Sequence, residues 1–212
     1  MAYHWINAER VVIKIGKKVA YREAPLFYGE LYAVNFDGTK GKMIYGMRAG
    51  EMQTGSRIKK KESTVGWGDI IDILPEENDH ILISSTPINV SREGTTKALK
   101  LNAYTGIVKK EMARSPISRG RFITDVSGEI KASVGTNTKD EAELYINKEG
   151  EWELVPSSKI GLDIQPISFS ASGKYLYVFN DYTEDKTAYT NSISKIFLTR
   201  KFLVIKKSMS HT

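Results

Sequence analysis

The stretch ISFSASGKYLYV, residues 167–178, decides the fold class of this chain. An extended run leads into Ser-Ala-Ser-Gly, and a second run follows in which tyrosines alternate with leucine and valine. Serine and glycine suit a tight turn, because serine bonds its own backbone and glycine tolerates positive φ. Aromatic and β-branched residues favour strands. The stretch therefore predicts two antiparallel strands joined by a tight turn, a β-hairpin.

The same pattern, here called the first-type hairpin, recurs at residues 5–13, 70–83 and 122–132. A second-type hairpin, in which a short strand runs into a glycine-closed turn and a further strand, follows at 31–38, 98–106 and 143–150. The last copy, around 194–198, lacks the glycine and continues into Thr199-Arg200-Lys201. Two hairpins in alternation, about every 45 residues, predict a repeating unit of four strands.

Repeated four-stranded units are typical of β-propeller blades. We therefore predict an all-β fold, a partial β-propeller of about three to four four-stranded antiparallel blades, with residues 1–212 as a single incomplete domain. Residues 46–68 are rich in Gly, Lys, Ser and Thr and are interpreted as an inserted loop. A sandwich of similar hairpins is the main alternative. Because propellers close with four to eight blades, we expect an internal section of a longer polypeptide.

Composition narrows the function classes. The chain has 212 residues, 41% hydrophobic and 26% charged, which is typical of a globular domain. Its apolar runs are only strand-length, so we expect no membrane partner, and residues 1–5 show no signal-peptide pattern. Zero cysteines exclude thiolate chemistry. The net charge of +6 raises the alternative of a polyanion partner, but Lys59-Lys60-Lys61 is interpreted as a solvated loop and no nucleic-acid partner is expected.

Four sequence segments give the chain a resemblance to a known family: residues 5–12, 31–38, 101–106 and 122–128. In this order and spacing they resemble successive propeller blades of bacterial prolyl oligopeptidase-family serine peptidases, of the dipeptidyl-aminopeptidase or acylaminoacyl-peptidase type. The resemblance spans roughly residues 4–198. It implies a propeller that gates access of short peptides to a separate α/β-hydrolase domain, in a cytoplasmic or periplasmic enzyme, and leaves the compartment undecided.

The resemblance also implies where catalysis would lie. In that family the hydrolase domain carries the serine in a Gly-x-Ser-x-Gly elbow, with aspartate and histidine later in the chain. No serine here has that context, and the histidines are His4, His80 and His211. We therefore expect a chain without a hydrolase domain and without catalytic, cofactor-binding or metal-binding residues. Peptides are its expected ligands only together with the missing domain, and self-association through exposed blade edges is the other expected contact.

Two segments of the sequence are candidates for a functional site. His80 lies beside carboxylates but has no second histidine at ligand spacing, so we interpret it as a polar turn residue. Glu76-Glu77 follows Pro75 in a turn, whereas the paired glutamates that hold a substrate's amino terminus in some family members sit on a helical insertion. The role is not carried over to them.

The remaining motifs are also interpreted structurally. Gly66-Trp67-Gly68 lacks the third glycine and the helix of a dinucleotide-binding motif. Trp5 and Trp152 are expected in packing or turns, and Trp67, placed in the inserted loop, is the tryptophan that can face a ligand. Asn89-Val90-Ser91 matches a glycosylation acceptor, which matters only in a eukaryotic secretory setting. We discount it because the resemblance is to bacterial proteins. The alternative to a gating segment is a free-standing β-propeller-like binding or scaffold protein.

Overall fold

The structure is a computed structural model that describes residues 2–50, 66–88, 94–161, 163–180, 192–197 and 203–206. Most of the described residues lie in strands, because β-branched and aromatic residues fit a pleated, partly buried surface. These strands form four antiparallel sheets of four, and each strand pairs with the next one along the chain. We call these sheets blades 1 to 4.

The strands are bounded as follows. Blade 1 contains β1 Tyr3–Trp5, β2 Arg10–Lys17, β3 Leu26–Asn35 and β4 Lys42–Tyr45. Blade 2 contains β5 Trp67–Asp72, β6 His80–Thr86, β7 Thr95–Asn102 and β8 Val108–Ser118. Blade 3 contains β9 Arg121–Thr124, β10 Ile130–Thr136, β11 Ala142–Lys148 and β12 Glu151–Leu154. Blade 4 contains β13 Ile164–Phe169, β14 Tyr175–Asn180, β15 Ser192–Phe197 and β16 Leu203–Lys206. A 3-10 helix at Met47–Gly50 and a four-residue helix α1 at Ser157–Ile160 complete the described elements. None of the helices in the described ranges is long and apolar enough to cross a bilayer.

The predicted fold class is confirmed: the protein is all-β with the four-stranded antiparallel sheets of a partial β-propeller. The described residues form four blades, the upper end of the predicted three to four. Blade 4 has all four strands, although the glycine of the second-type hairpin is missing there. The prediction that Trp67 lies in the inserted loop is wrong, since β5 begins at this residue. Lys59 to Lys61, the Asn89 acceptor and His211 lie outside the described residues.

Polar side chains close the turns of all four first-type hairpins, as their composition predicts. Backbone N–H groups donate to Asn7 Oδ1 from Arg10 at 2.8 Å and to Asp72 Oδ1 from Leu74 at 2.8 Å. Asp125 Oδ1 accepts from Ser127 N at 2.9 Å, and Ser170 Oγ accepts from Tyr175 N at 3.2 Å. Each turn therefore satisfies its own backbone donors within a few residues.

Second-type turns depend on asparagine and glycine. Asn102 Oδ1 accepts from Tyr104 N at 3.0 Å and Thr105 N at 2.8 Å, and Asn147 Oδ1 accepts from Gly150 N at 2.8 Å. Gly106 has φ 69°, and a Cβ there would lie 2.7 Å from the carbonyl oxygen of Ile44. Glycine is required at this position both by its conformation and by the neighbouring strand.

The chain divides into two compact units, Met1–Arg114 and Ser115–Thr212, with the boundary inside β8. That residues 1–212 form a single incomplete domain stays a prediction. Unit 1 has a core shared by blades 1 and 2, to which Val12, Leu31, Ile81 and Leu101 contribute fully buried side chains. Register explains this core, because Ile81 and Ile83 lie opposite Leu101 and Leu99 on one face.

Unit 2 has its own core. Blade 3 contributes Leu144 and Ile146 from β11, and blade 4 contributes Leu176 and Val178 from β14. Ile160 of α1 is also buried in this cluster. In each unit, two blades are thus held together by the apolar faces of their middle strands.

A buried arginine adds a polar connection inside unit 1. Arg10 of β2 is inaccessible to solvent, and its guanidinium donates to Ala103 O in the β7–β8 turn. It also donates to Asn35 Oδ1 at 3.0 Å and Lys40 O at 2.9 Å, and it lies 4.8 Å from the ring centroid of Tyr104. Burial lowers the pKa of Arg10 from its usual value. These contacts compensate the desolvated charge and join the turns of blades 1 and 2.

Candidate ligand-binding site

The candidate site is built on an irregularity in β3. Ile15 of β2 pairs with Glu30, but the next residue, Gly16, pairs with Phe27, so Tyr28 and Gly29 form a bulge. Gly29 has φ 75°, and a Cβ on it would lie 2.6 Å from both Trp67 Cα and Gly68 N. Only glycine allows this close approach of β3 to β5. The bulge therefore brings the aromatic residues of β3 to the first residue of blade 2.

Three aromatic rings meet at this point. Trp67 packs edge-on against Phe27, with ring centroids 6.0 Å apart and an interplanar angle of 88°. Its ring centroid is 6.3 Å from that of Tyr28, and the planes are tilted by 44°. Trp67 remains 43% exposed and Tyr28 40% exposed, whereas Phe27 is half-buried. The cluster therefore offers large apolar surface that the described part of the protein does not cover.

An ion pair lies next to the rings. Lys14 of β2 pairs with Asp69 of β5, and the Lys14 Nζ lies 5.2 Å from the ring centroid of Phe27. Asp69 and Trp67 are two residues apart in β5 and so lie on the same face of the sheet. The Lys14 side chain is 24% exposed and that of Asp69 47%. Asp69 Oδ1 also accepts from Ile70 N at 2.7 Å.

Lys14 and Phe27 also line a recess of about 230 Å³, whose other walls are Ala2, Gly16 and Pro25. A Cβ on Gly16 would lie 3.0 Å from the Cβ of Pro25, so the glycine keeps this wall thin. The side chains that line it are apolar apart from that of Lys14. We call the rings of Phe27, Tyr28 and Trp67, the ion pair and this recess together the bulge site.

Gly66-Trp67-Gly68 has a clear packing role at this site. A Cβ on Gly68 would lie 2.4 Å from the ring of Tyr45, and one on Gly66 would lie 2.7 Å from the Tyr45 hydroxyl. Tyr45 is buried, donates to Ser85 Oγ at 2.5 Å, and has its pKa raised by that burial. The two glycines thus make room for Tyr45, and they hold Trp67 between them at the surface.

A second ion pair secures the chain next to the bulge. Glu30 is buried directly after Gly29, and its carboxylate accepts hydrogen bonds from the guanidinium of Arg48 in the 3-10 helix. These hydrogen bonds lower the pKa of Glu30 from its usual value. Gly46 lets the chain pass over Glu30, since a Cβ on it would lie 2.7 Å from Glu30 Cγ. The start of the inserted segment is therefore anchored beside the bulge site.

The other candidate residues from the sequence lie outside the bulge site. His80 begins β6, with Nδ1 2.6 Å from Asp79 Oδ1, and Glu77 forms an ion pair with Lys100. Trp152 of β12 packs on Phe122 with ring centroids 6.2 Å apart. Within the described residues, no three His, Asp or Glu side chains are grouped to hold a metal ion.

Trp67 is the one residue of the bulge site that sequence reasoning selected as ligand-facing. Lys14, Phe27, Tyr28 and Asp69 were missed. A usable signal was present, because an isolated glycine inside a strand pattern indicates a bulge or a close backbone approach. Gly29 follows two aromatic residues in just such a strand.

Comparison with known proteins does not identify a family for this chain. No family model matches the chain, and no curated protein matches it. A crystal structure of TolB from Acinetobacter baumannii, a β-propeller protein, aligns with a TM-score of 0.42 and 11% identity. The alignment covers 84% of this chain and 37% of that TolB chain. The four-stranded antiparallel blades give the chain a β-propeller-like fold. The comparisons do not confirm the predicted resemblance to the prolyl oligopeptidase family.

Proposed function

We propose that this chain is a non-catalytic β-propeller segment that binds peptides, and that in a larger enzyme of the prolyl oligopeptidase type it gates and orients peptide substrates. The observation that carries peptide binding is the bulge site, where the exposed rings of Trp67 and Tyr28 adjoin a recess and the Lys14–Asp69 ion pair. Peptides combine apolar side chains with charged ends, and this site offers a partner for each.

The volume of the recess favours a peptide over a compact small molecule as the ligand. Ligand pockets usually enclose about 300–1,000 Å³. The recess holds about 230 Å³ and opens beside exposed rings, so it suits one side chain of a longer ligand. Tryptophan and tyrosine are enriched where one protein recognises another, because they bury a large area at low entropic cost.

The gating role is supported by the order, along the chain, of the four segments that resemble propeller blades. Residues 5–12 and 122–128 fall in first-type hairpins, and residues 31–38 and 101–106 fall in second-type hairpins of the structure. In the family they resemble, the propeller performs no chemistry and restricts access to a neighbouring hydrolase domain. The same division of labour would leave this chain with binding alone.

One experiment tests binding and the lack of catalysis together. The purified chain is titrated with short acetylated peptides by calorimetry, and the same mixtures are assayed for hydrolysis of aminoacyl and dipeptidyl chromogenic substrates and for labelling by a serine-directed covalent probe. We expect peptide binding without hydrolysis or labelling. Specific labelling of the chain would refute the non-catalytic assignment, and an absence of peptide binding would refute the peptide-binding function.

The peptidase parentage has a separate test. Sequencing the DNA on both sides of the reading frame should reveal a segment that encodes a Gly-x-Ser-x-Gly elbow, in the same or another frame. Flanking sequence without any hydrolase coding segment would oppose the gating role, and it would leave the peptide-binding test unaffected.

A second candidate function, a free-standing binding or scaffold protein that associates with a second copy, is favoured by β1. Tyr3 and Trp5 are 66% and 49% exposed on one face of this strand, opposite Ile13 and Val11 of β2. A monodisperse oligomer in light scattering that dissociates when Tyr3 and Trp5 are both changed to serine would support this function. Phe36→Ser, at an exposed turn residue, is the matched control. A monomeric or polydisperse chain would oppose it.

A further inference from the structure

We propose that the recess of the bulge site binds the C-terminal residue of a peptide, with the free carboxylate on Lys14 and an apolar side chain inside the recess. The proposal rests on the peptide-binding function above and assigns it a ligand class. It follows from the position of Lys14, from the shape and lining of the recess, and from the competition between Asp69 and a ligand carboxylate for the Lys14 ammonium.

Lys14 is held in place for such a contact. Its backbone N–H donates to Ala2 O at 3.0 Å, its ammonium lies over the ring of Phe27, and Asp69 holds the ammonium from the side of β5. An ammonium has three N–H donors, and the contact with Asp69 engages only part of them. A ligand carboxylate can therefore bind Lys14 through charge-assisted hydrogen bonds without a new conformation of the side chain.

The recess determines what accompanies the carboxylate. Besides Lys14, it is lined by Ala2, Gly16, Pro25 and Phe27, which carry no side-chain hydrogen-bonding groups. A volume of about 230 Å³ accepts one leucine-sized side chain. When the terminal carboxylate occupies Lys14, a charged side chain in the recess would lose its hydration without a partner. Carboxylate and apolar side chain occur together on one residue only at the C-terminus of a peptide ending in an apolar amino acid.

Asp69 would compete with a ligand carboxylate for the Lys14 ammonium. Its carboxylate occupies Lys14 in the unliganded protein and repels an incoming carboxylate. Replacing it by asparagine keeps the shape and removes both effects, so the variant should bind the C-terminal carboxylate more tightly than the original protein. A purely structural ion pair predicts the opposite, because loss of one partner would disturb the site and weaken every ligand.

The test compares acetyl-Ala-Ala-Leu with a free carboxylate and the same peptide as its C-terminal amide, by calorimetry at low salt. We expect the peptide with the free carboxylate to bind at least about tenfold more tightly than its amide, as is typical of a hydrogen bond to a charged group. Lys14→Met should abolish this preference and Asp69→Asn should increase it. Lys131→Met is the matched control, because Lys131 is also a strand lysine, 27% exposed and paired with Glu129.

Each outcome decides a different claim. Equal binding of acid and amide, or a preference that survives Lys14→Met, overturns this inference and leaves the peptide-binding function standing. Binding of neither peptide overturns both. If Lys14→Met fails to fold by circular dichroism, the sign of the change in Asp69→Asn still decides, since a weaker preference for the acid overturns the inference. Added salt should reduce the preference, as expected for a partly exposed charge.

Discussion

The guanidinium of Arg10 donates two hydrogen bonds to the carbonyl oxygen of Ala103, from Nε at 3.2 Å and from Nη2 at 3.0 Å, and so joins β2 of blade 1 to the β7–β8 turn of blade 2. Neither partner is exposed to solvent. A buried cation bound to carbonyl and amide oxygens is stable only while every bond is made, because each unpaired group there costs free energy. Arg10 therefore stabilises the blade pair of unit 1 in addition to the shared apolar core.

Arg10→Lys should destabilise the protein strongly although it keeps the charge. Lysine lacks the planar fork that reaches Ala103, Asn35 and Lys40 together, so at least one buried acceptor loses its donor. We expect a loss of about 2–4 kcal/mol in the free energy of unfolding, measured by urea denaturation. Arg114→Lys is the control, at an exposed arginine paired with Glu111, and should change stability by about 0.5 kcal/mol or less. Equal effects of the two variants would contradict this role of Arg10.

Gly29→Ala should be much more harmful than Gly38→Ala. Both glycines have positive φ, 75° and 83°, so both variants incur the backbone cost of about 1 kcal/mol. A Cβ on Gly29 would also meet the backbone of Trp67 and Gly68 at 2.6 Å, whereas Gly38 has nothing within 4 Å. The additional overpacking should cost Gly29→Ala about 1–3 kcal/mol more in thermal or urea unfolding. Similar losses in both variants would show that the close approach of β3 and β5 is absent.

Acid should weaken the protein through Glu30. Hydrogen bonds from Arg48 hold the pKa of Glu30 below its usual value in the folded state. This stabilisation is therefore fully present above the unfolded pKa, which is about 4.3, and is lost as pH falls through the lower folded pKa. Glu30→Gln should cost about 1.5–3 kcal/mol at pH 7.

The difference between the original protein and Glu30→Gln should shrink as the pH is lowered below about 4 in urea unfolding experiments. Glu9→Gln is the matched control, since Glu9 is also a glutamate and is exposed between β1 and β2. A difference in stability that stays constant between pH 7 and pH 3 would contradict the buried Glu30–Arg48 pair.

Tyr145 should titrate late. Burial, and then the hydrogen bond that its hydroxyl donates to Glu143 Oε2 at 2.8 Å, raise the pKa of Tyr145 to about 12. Because the folded pKa exceeds the unfolded value of about 10, this contribution to stability is present below pH 10 and is lost as pH rises through the folded pKa. Difference absorbance between the protein and Tyr145→Phe should show this late transition, and Glu143→Gln should move it towards lower pH. A Tyr145 transition unmoved by Glu143→Gln would contradict the hydrogen bond.

The hairpins could be predicted from the sequence because their causes are local. Asn7 and Asp125 accept hydrogen bonds from backbone groups within four residues, and Gly106 adopts the positive φ that closes its turn. Such chemistry is visible in any short window of residues. Even the incomplete pattern near the C-terminal end kept enough strand character for β15 and β16 to pair.

The bulge site could not be predicted in the same way, because it depends on contacts between blades. Lys14 and Asp69 meet only when β3 bulges at Gly29 and its backbone lies against β5. Alternation along a strand indicates which residues share a face, but it does not indicate which strand covers that face. Trp67 was assigned to the loop for a similar reason, since the flanking glycines resemble a turn when the packing of Tyr45 is unknown.

Tryptophan fluorescence reports directly on peptide binding at the bulge site, because Trp67 is one of its three rings. The protein has three tryptophans, Trp5, Trp67 and Trp152, and each is changed singly to phenylalanine. Titration with a short acetylated peptide should change the fluorescence of the original protein and of Trp5→Phe and Trp152→Phe, and the change should be lost in Trp67→Phe. A peptide-induced change that persists in Trp67→Phe, or that disappears in one of the other two variants, would contradict binding at this site.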